Sequence, residues 1–487
     1  MADPILYWND VANEANRITH TTGAEEEAGA QGPCGSSRAY AIVHLAMHDA
    51  YFAIDKAPHG TYFADADLPT PPQGANAAAV DKLTRASVAG AAYATLCALY
   101  PAQKAMFDEK LVASGVATGG PDSTAYAFGA AVAARMLAER AGDPSLDAAG
   151  HASSNDPGRH RHDPDAPADK HTYHAPFYGS RAKCFAITEH FPLDDPPAIT
   201  SQEYLDALRE VRAKGIAPEL TGTLPAGFTP RTTDQTVAGI YWGYDGAKDL
   251  GTPPRLYNQI VRTIAVAKGN TVAQNARLFA LVNAAMGDAG IRAWDDKYRW
   301  DYWRPVLGLR EHGDALGPDA AGAPAIDADA DPWWRPLGAP RTNATGEKNF
   351  TRPFPAYPSG HATFGAAAFQ SVRKFYEPNC GFGPDDVIKG IEFVSDEFDG
   401  VSRDNHGTVR PRLARTFTDG LWGMIKENGE SRVFLGVHWV FDAFTRTKDG
   451  DINIGRNVGG VILGLRIADD IAAKDLKAAQ AIGPRLP

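Results

Sequence analysis

Along most of this chain apolar residues recur at intervals of three and four, the spacing that sets one helix face against a core, while two-residue alternation is scarce. The pattern predicts helices over Ser37–Ala53, Asn76–Leu99, Ser123–Ala141, Ser201–Lys214, Pro254–Lys268, Asn270–Trp303, His361–Phe375, Pro384–Phe398, Val409–Asn428 and Gly455–Leu476. Between them run segments rich in Gly, Pro and Asp, notably 142–178 and 312–349, which read as long surface excursions. No internal repeat or low-complexity linker divides the chain. A mostly helical protein with long loops follows.

Composition narrows the function classes. A length of 487 residues allows a large buried core. The formal net charge of −11 argues against a nucleic-acid partner, because duplex binding needs a basic face. Any anion site must therefore be a local pocket of positive charge in an acidic body. The cysteines Cys34, Cys97, Cys184 and Cys380 are too widely spaced for a zinc pair or a disulfide framework, and read as free thiols. The opening "MADPILYWND" has no basic stretch followed by an apolar run, and no window approaches a membrane span, so a soluble protein of unassigned compartment is expected. The glycine-rich "GFGPDD", "NVGGVILG" and "NATGEKNF" lack the context of nucleotide loops.

Three stretches carry candidate chemistry. In "YPSGHATFG", residues 357–365, a hydroxyl (Ser359), a glycine amide (Gly360) and an imidazole (His361) sit at a predicted helix start. Unpaired amides and the positive end of the helix dipole make that an oxyanion site. In "WDDKYRWDYWRP", 294–305, Lys297 and Arg304 are seven apart, about two turns or roughly 10 Å of rise, so both leave one helix face, and Pro305 ends the helix at Arg304. In "SRVFLGVHW", 431–439, Arg432 and His438 are six apart, which do not share a helix face, so a kink at Gly436 or an approach from two sides is required. Each stretch alone has a bland reading as a capped helix or a buried histidine. Together they assemble three cations, neutral donors and two imidazoles, a set suited to a compact oxyanion.

The order Lys-x6-Arg-Pro, Pro-Ser-Gly-His, Ser-Arg-x5-His resembles the superfamily of vanadium-dependent haloperoxidases and PAP2-type acid phosphatases. Similarity to the fungal-type vanadium chloroperoxidases extends to "HLAMHDAYF", "YHAPFYG", "GIYWGYDG", "GTPPRLYNQIVR", "ARLFALV" and "PFPAYPSGHATFG", from about residue 40 to 445. The resemblance implies an all-α fold of two four-helix bundles with long connecting loops, in approximate halves 1–250 and 251–487, the second carrying the anion site. It implies a vanadate cofactor bound axially by His438, with Lys297, Arg304, Ser359, Gly360 and Arg432 on its equatorial oxygens. His361 would be the acid–base catalyst, and Asp245 in "GYDG" would orient an arginine, Arg432. Trp294 and Phe354 match the apolar residues of the halide side. Bromoperoxidases of the family typically have histidine at the position of Phe354, so phenylalanine favours chloride oxidation.

The implied activity is oxidation of chloride and/or bromide by hydrogen peroxide to hypohalous acid, through peroxovanadate. Lys297 and the two imidazoles His361 and His438 would be the catalytic groups, and small organic halogen acceptors further partners, in a monomer or small homo-oligomer. The chain is shorter than the fungal enzymes and is cut back between Asn405 and Val409, so entrance loops are expected to differ. Two other activities use the same residues: an acid phosphatase working through a phosphohistidine, and a non-catalytic anion-binding helical protein. His44 and His48, one turn apart in "HLAMH", lack a third metal ligand and read as packed helix. His151, His160, His162, His171 and His174 read as solvated loop, and Asp295–Asp296 and Asp385–Asp386 as helix-start or surface carboxylates.

Overall fold

The computed structural model describes residues 3–56, 58–116, 123–168, 171–313, 329–384 and 388–485. Its helices are α1 Pro4–Thr22, α2 Gly32–Phe52, α3 Ala77–Leu99, α4 Lys104–Ala113, α5 Ser123–Glu139, α6 Tyr178–Arg181, α7 Gln202–Lys214, α8 Thr233–Tyr241, α9 Pro253–Lys268, α10 Val272–Trp300, α11 Pro305–Arg310, α12 Gly360–Tyr376, α13 Gly420–Phe434, α14 Val440–Ala443 and α15 Gly460–Lys474. An antiparallel pair, β1 Ile391–Val394 and β2 Ala414–Phe417, is registered with Ile391 opposite Phe417.

Local chemistry sets the helix boundaries. Asp3 accepts hydrogen bonds from the Ile5 and Leu6 amides and starts α1, which Gly23 closes in the left-handed region at φ 65°. A reciprocal Thr271/Gln274 capping box starts α10, whose 29 residues make it the central rod, buried almost continuously from Asn275 to Lys297. Helices α2 and α12 pack on α10, α3 and α5 pack on each other, and α13 and α15 flank α12.

Several expectations are corrected. The long helix stops at Trp300, with Asp301 left-handed at φ 49°, so Lys297 and Arg304 do not share one helix. Arg304 is extended and caps the start of α11. Within Pro384–Phe398 the described part is β1 and a short 3-10 turn rather than helix. The first part of Val409–Asn428 is β2, and the helix there begins only at Gly420. Asp295 and Asp296 are buried in the last turns of α10, not at a helix start or on the surface, and Asp385–Asp386 lie outside the described residues. His160 is buried and His151, His162 and His174 are half-buried, so these four are packed rather than solvated, while His171, stacked on His162 with ring centroids 4.5 Å apart, is exposed as expected. Among the described residues no group of three or more His, Cys, Asp or Glu is placed to hold a metal ion. No described helix is long and apolar enough to cross a membrane. The four cysteines are free thiols. The stretch 403–409 is a tight turn in which the Gly407 amide donates to the Asp404 carbonyl.

One close approach fixes where α12 begins. A Cβ at Gly460 would lie 2.5 Å from the Ser359 carbonyl oxygen, and one at Gly464 would lie 2.4 Å from the Thr363 carbonyl oxygen. Glycine at both positions lets α15 lie directly on the first turn of α12. Gly464→Ala is therefore expected to cost about 1–3 kcal/mol by overpacking, read as a lowered urea midpoint; an unchanged midpoint contradicts this contact.

His44 shows how neutral imidazoles are stored in the core. Its Nδ1 lies 2.7 Å from the Tyr40 carbonyl and its Nε2 accepts from the Asn9 amide nitrogen at 2.9 Å. Burial pushes its pKa from 6.5 down to about 4. The unfolded chain takes up this proton below pH 6.5 and the folded chain only near 4, so stability is lost as pH falls through that window, by up to about 3 kcal/mol. His44→Gln is expected to flatten this part of the unfolding free energy against pH, measured by urea titrations at several pH values; an unaltered slope contradicts a neutral folded-state His44.

Candidate active site

Five chain segments meet at one small pocket. Its lining includes Trp294, Arg304, Phe354, Gly360, His361, Arg432 and His438, together with Asp245 and Arg352. Helix α12 contributes its first turn, where Ser359 is the N-cap and its hydroxyl accepts from the Ala362 amide at 3.4 Å. The amides of Gly360 and His361 have no hydrogen-bond partner among the described residues, as expected of a first helical turn. The Ser359 amide itself donates to the Asp442 carbonyl at 2.7 Å, tying α12 to α14.

His438 lies in the turn between α13 and α14. Gly436, at φ 75°, redirects the chain there, and a Cβ on it would meet the Gly215 carbonyl oxygen at 2.5 Å. The expected kink at Gly436 is thus present. His438 Nδ1 sits 2.7 Å from Asp442 Oδ2, and Arg304 Nη1 sits 2.9 Å from His438 Nε2. A guanidinium has only donors, so Nε2 must accept and Nδ1 must carry the hydrogen. Burial and then Arg304 hold the imidazole well below its ordinary pKa, so it is neutral with its lone pair on Nε2. Burial pushes Asp442 up to about 7 against the pull of Lys297 and Arg304.

Arg304 is anchored by donating to the Phe354 carbonyl at 2.9 Å and the Val437 carbonyl at 2.7 Å, leaving Nη2 buried without a partner. Arg432 Nη2 donates to Asp245 Oδ2 at 2.7 Å, and its Nε is buried without a partner. Asp245 thus lies against Arg432, as expected. Burial works to raise the Asp245 pKa, but Arg432 and His361 hold it well below the usual carboxylate range. His361 Nε2 lies 3.0 Å from the Gly243 carbonyl and so carries its hydrogen there, which leaves Nδ1 as the acceptor. Burial and then Arg432 push its pKa down to about 3, so His361 is neutral near pH 7.

Lys297 is placed differently from the other cations. Its Nζ donates to the carbonyls of Pro355, Ala356 and Pro358 at 2.8, 3.0 and 2.5 Å. Burial and Arg304 press its pKa well down, yet three acceptors require the three hydrogens of the ammonium. Lys297 braces the loop ahead of Ser359 and lies 5.5 Å from the Trp294 ring and 5.2 Å from the Phe354 ring. Those two rings pack with centroids 4.9 Å apart and form an apolar wall.

Two residues of this site escaped the sequence motifs. Asp442 follows His438 by four in "HWVFD", a spacing consistent with ring-orienting contact, and Arg352 precedes Phe354 by two. Counting Lys297, Arg304, Arg352 and Arg432 against Asp245 and Asp442 gives four cations and two carboxylates. Unpartnered buried N–H groups cost about 1–3 kcal/mol each, so this cradle is built for an anion.

An α-helical protein with a buried oxyanion cradle closed by one oriented imidazole defines the class. Comparisons with known proteins identify it further. The vanadium chloroperoxidase N-terminal domain profile matches residues 2–184, and the VCPO second helical-bundle domain profile matches residues 277–464. Vanadium chloroperoxidase of Curvularia inaequalis is 38% identical over 97% of this chain and 90% of its own length. In fold, the chain is similar to a holo-type bacterial vanadium-dependent chloroperoxidase (TM-score 0.63, 15% identity, 95% of this chain and 97% of that one). It is also similar to the first bacterial vanadium-dependent iodoperoxidase (TM-score 0.58, 17% identity, 96% and 95% covered). This chain belongs to the vanadium chloroperoxidase family and is an enzyme.

The donor set fits a vanadate ion. The unpartnered Arg304 Nη2 and Arg432 Nε and the free Gly360 amide suit its oxygens, and the lone pair of His438 Nε2 suits its metal. Asp442 is the orienting partner that such a histidine needs. Asp442→Asn is expected to weaken orthovanadate binding about 10–100-fold with the helical circular dichroism retained; undiminished affinity contradicts its role.

Proposed function

We propose that this enzyme is a vanadium-dependent haloperoxidase that oxidises chloride and/or bromide with hydrogen peroxide to hypohalous acid. The observation that carries the reading is the neutral His438, whose Nε2 accepts only from Arg304 Nη1, a contact that a bound ion would replace, beside the unpartnered N–H groups of Arg304 and Arg432.

Bound vanadate supplies Lewis-acid activation of hydrogen peroxide without a change of oxidation state. His438 Nε2 would hold the metal. Arg304, Ser359, Gly360 and Arg432 would hold its oxygens, with Lys297 behind them bracing the loop and adding positive potential where charge develops on oxygen. His361 Nδ1, neutral and unprotonated near pH 7, takes a proton from the incoming peroxide. Asp245 Oδ1, 3.9 Å from His361 Nε2, steadies the imidazolium that results. The Trp294 and Phe354 rings keep the halide side apolar, which strengthens the field of the cations that must offset the cost of stripping water from chloride or bromide.

Chlorination and bromination of monochlorodimedone are the direct assay. Turnover is expected to require added orthovanadate, and His438→Ala is expected to lose at least about 100-fold. Halogenation that ignores both vanadate and His438 contradicts the proposal.

A further inference from the structure

One charged side chain at this cavity belongs to none of the three motifs. Arg352 lies two residues before Phe354, in a tight turn where the Phe354 amide donates to the Arg352 carbonyl at 2.9 Å. Its Nε faces Asp245 Oδ1 at 3.3 Å, long for a charge-assisted bond, while the other oxygen of that carboxylate already takes Arg432 at 2.7 Å. Its guanidinium lies over the Phe350 ring at 4.7 Å, and neither terminal amino group has a hydrogen-bond partner among the described residues. A Cβ at Gly246 would approach Arg352 Nη2 to 3.3 Å, so a glycine keeps that side clear.

Exposure separates Arg352 from the other cations of the lining. Its side chain keeps 20% of its surface in contact with solvent, against 1% for that of Arg432, and Arg304 is as deeply buried. The donors that suit an oxyanion are the buried ones. Arg352 instead presents free N–H groups at the mouth, on the same segment as the apolar ring of Phe354, where a small anion arriving from water meets it first.

We propose that Arg352 is a specificity-determining residue that collects the halide at the cavity mouth and holds it against Phe354, a role that rests on the halide-oxidising reading above. The ligand class is a monatomic, singly charged anion. It needs donors without directional geometry and tolerates an apolar wall, which one guanidinium edge beside an aromatic ring provides.

The test compares vanadate-loaded wild type with Arg352→Gln, which keeps an N–H for Asp245, and with Arg352→Lys, which keeps the charge. In Arg352→Gln the KM for bromide and chloride is expected to rise about tenfold, with kcat changing far less and with KM losing its dependence on ionic strength. Arg352→Lys is expected to restore most of the affinity. A second readout needs no turnover: broadening of the chloride-35 or bromide-81 NMR line by the apoprotein is expected to fall in Arg352→Gln. Unchanged halide KM and unchanged line broadening overturn the inference, as does an effect confined to vanadate affinity or to the pH profile, which makes Arg352 a partner of Asp245 alone. Wild-type protein without any halogenation sinks the underlying reading instead.

Discussion

Positive charge held in the interior without enough negative charge is the constraint from which the rest of this structure follows. Lys297, Arg304 and Arg432 are each at most 1% exposed, and the carboxylates within reach are Asp245 and Asp442. Burying cations is costly unless they are paired and hydrogen-bonded. The protein meets part of that cost with backbone: three carbonyls on Lys297 and two on Arg304. What remains, an Nη2 on Arg304 and an Nε on Arg432, is left for an anion.

Holding such a site rigid requires several elements at once. The central helix α10 brings Lys297 and Trp294, the turn after it brings Arg304, and α13 brings Arg432. The first turn of α12 is clamped between the α14 segment, through the Ser359 amide, and α15, through the close approach at Gly460 and Gly464. Asp442 joins two of these tasks. Its carboxylate orients His438, and its carbonyl receives the Ser359 amide. The imidazole and the oxyanion-binding amides are therefore placed by one residue.

Much of this was legible in sequence where signals were local. The helices with clear caps and apolar faces, such as Ala77–Leu99 after Asn76 and Gln202–Lys214 after Ser201, fall within a residue or two of expectation. Helix α1 escaped because Asn9, Asn13 and Asn16 are buried and, through their side chains, paired to other polar groups of the core, which hides the apolar period. Strands β1 and β2 escaped because each is four residues long and only partly buried. The three motifs pointed to one site, but the local geometry differed: Lys297 and Arg304 converge through a left-handed residue at Asp301 and an extended Arg304, not along one helix. Asp442 and Arg352 were invisible because their meaning depends on contacts made only in the fold.

The central claim is that the buried cations are held for a single oxyanion. Calorimetric titration of the apoprotein with orthovanadate tests it most directly. The account predicts one ion bound per chain, displaced competitively by inorganic phosphate. No binding, or several weak sites indifferent to phosphate, would contradict it.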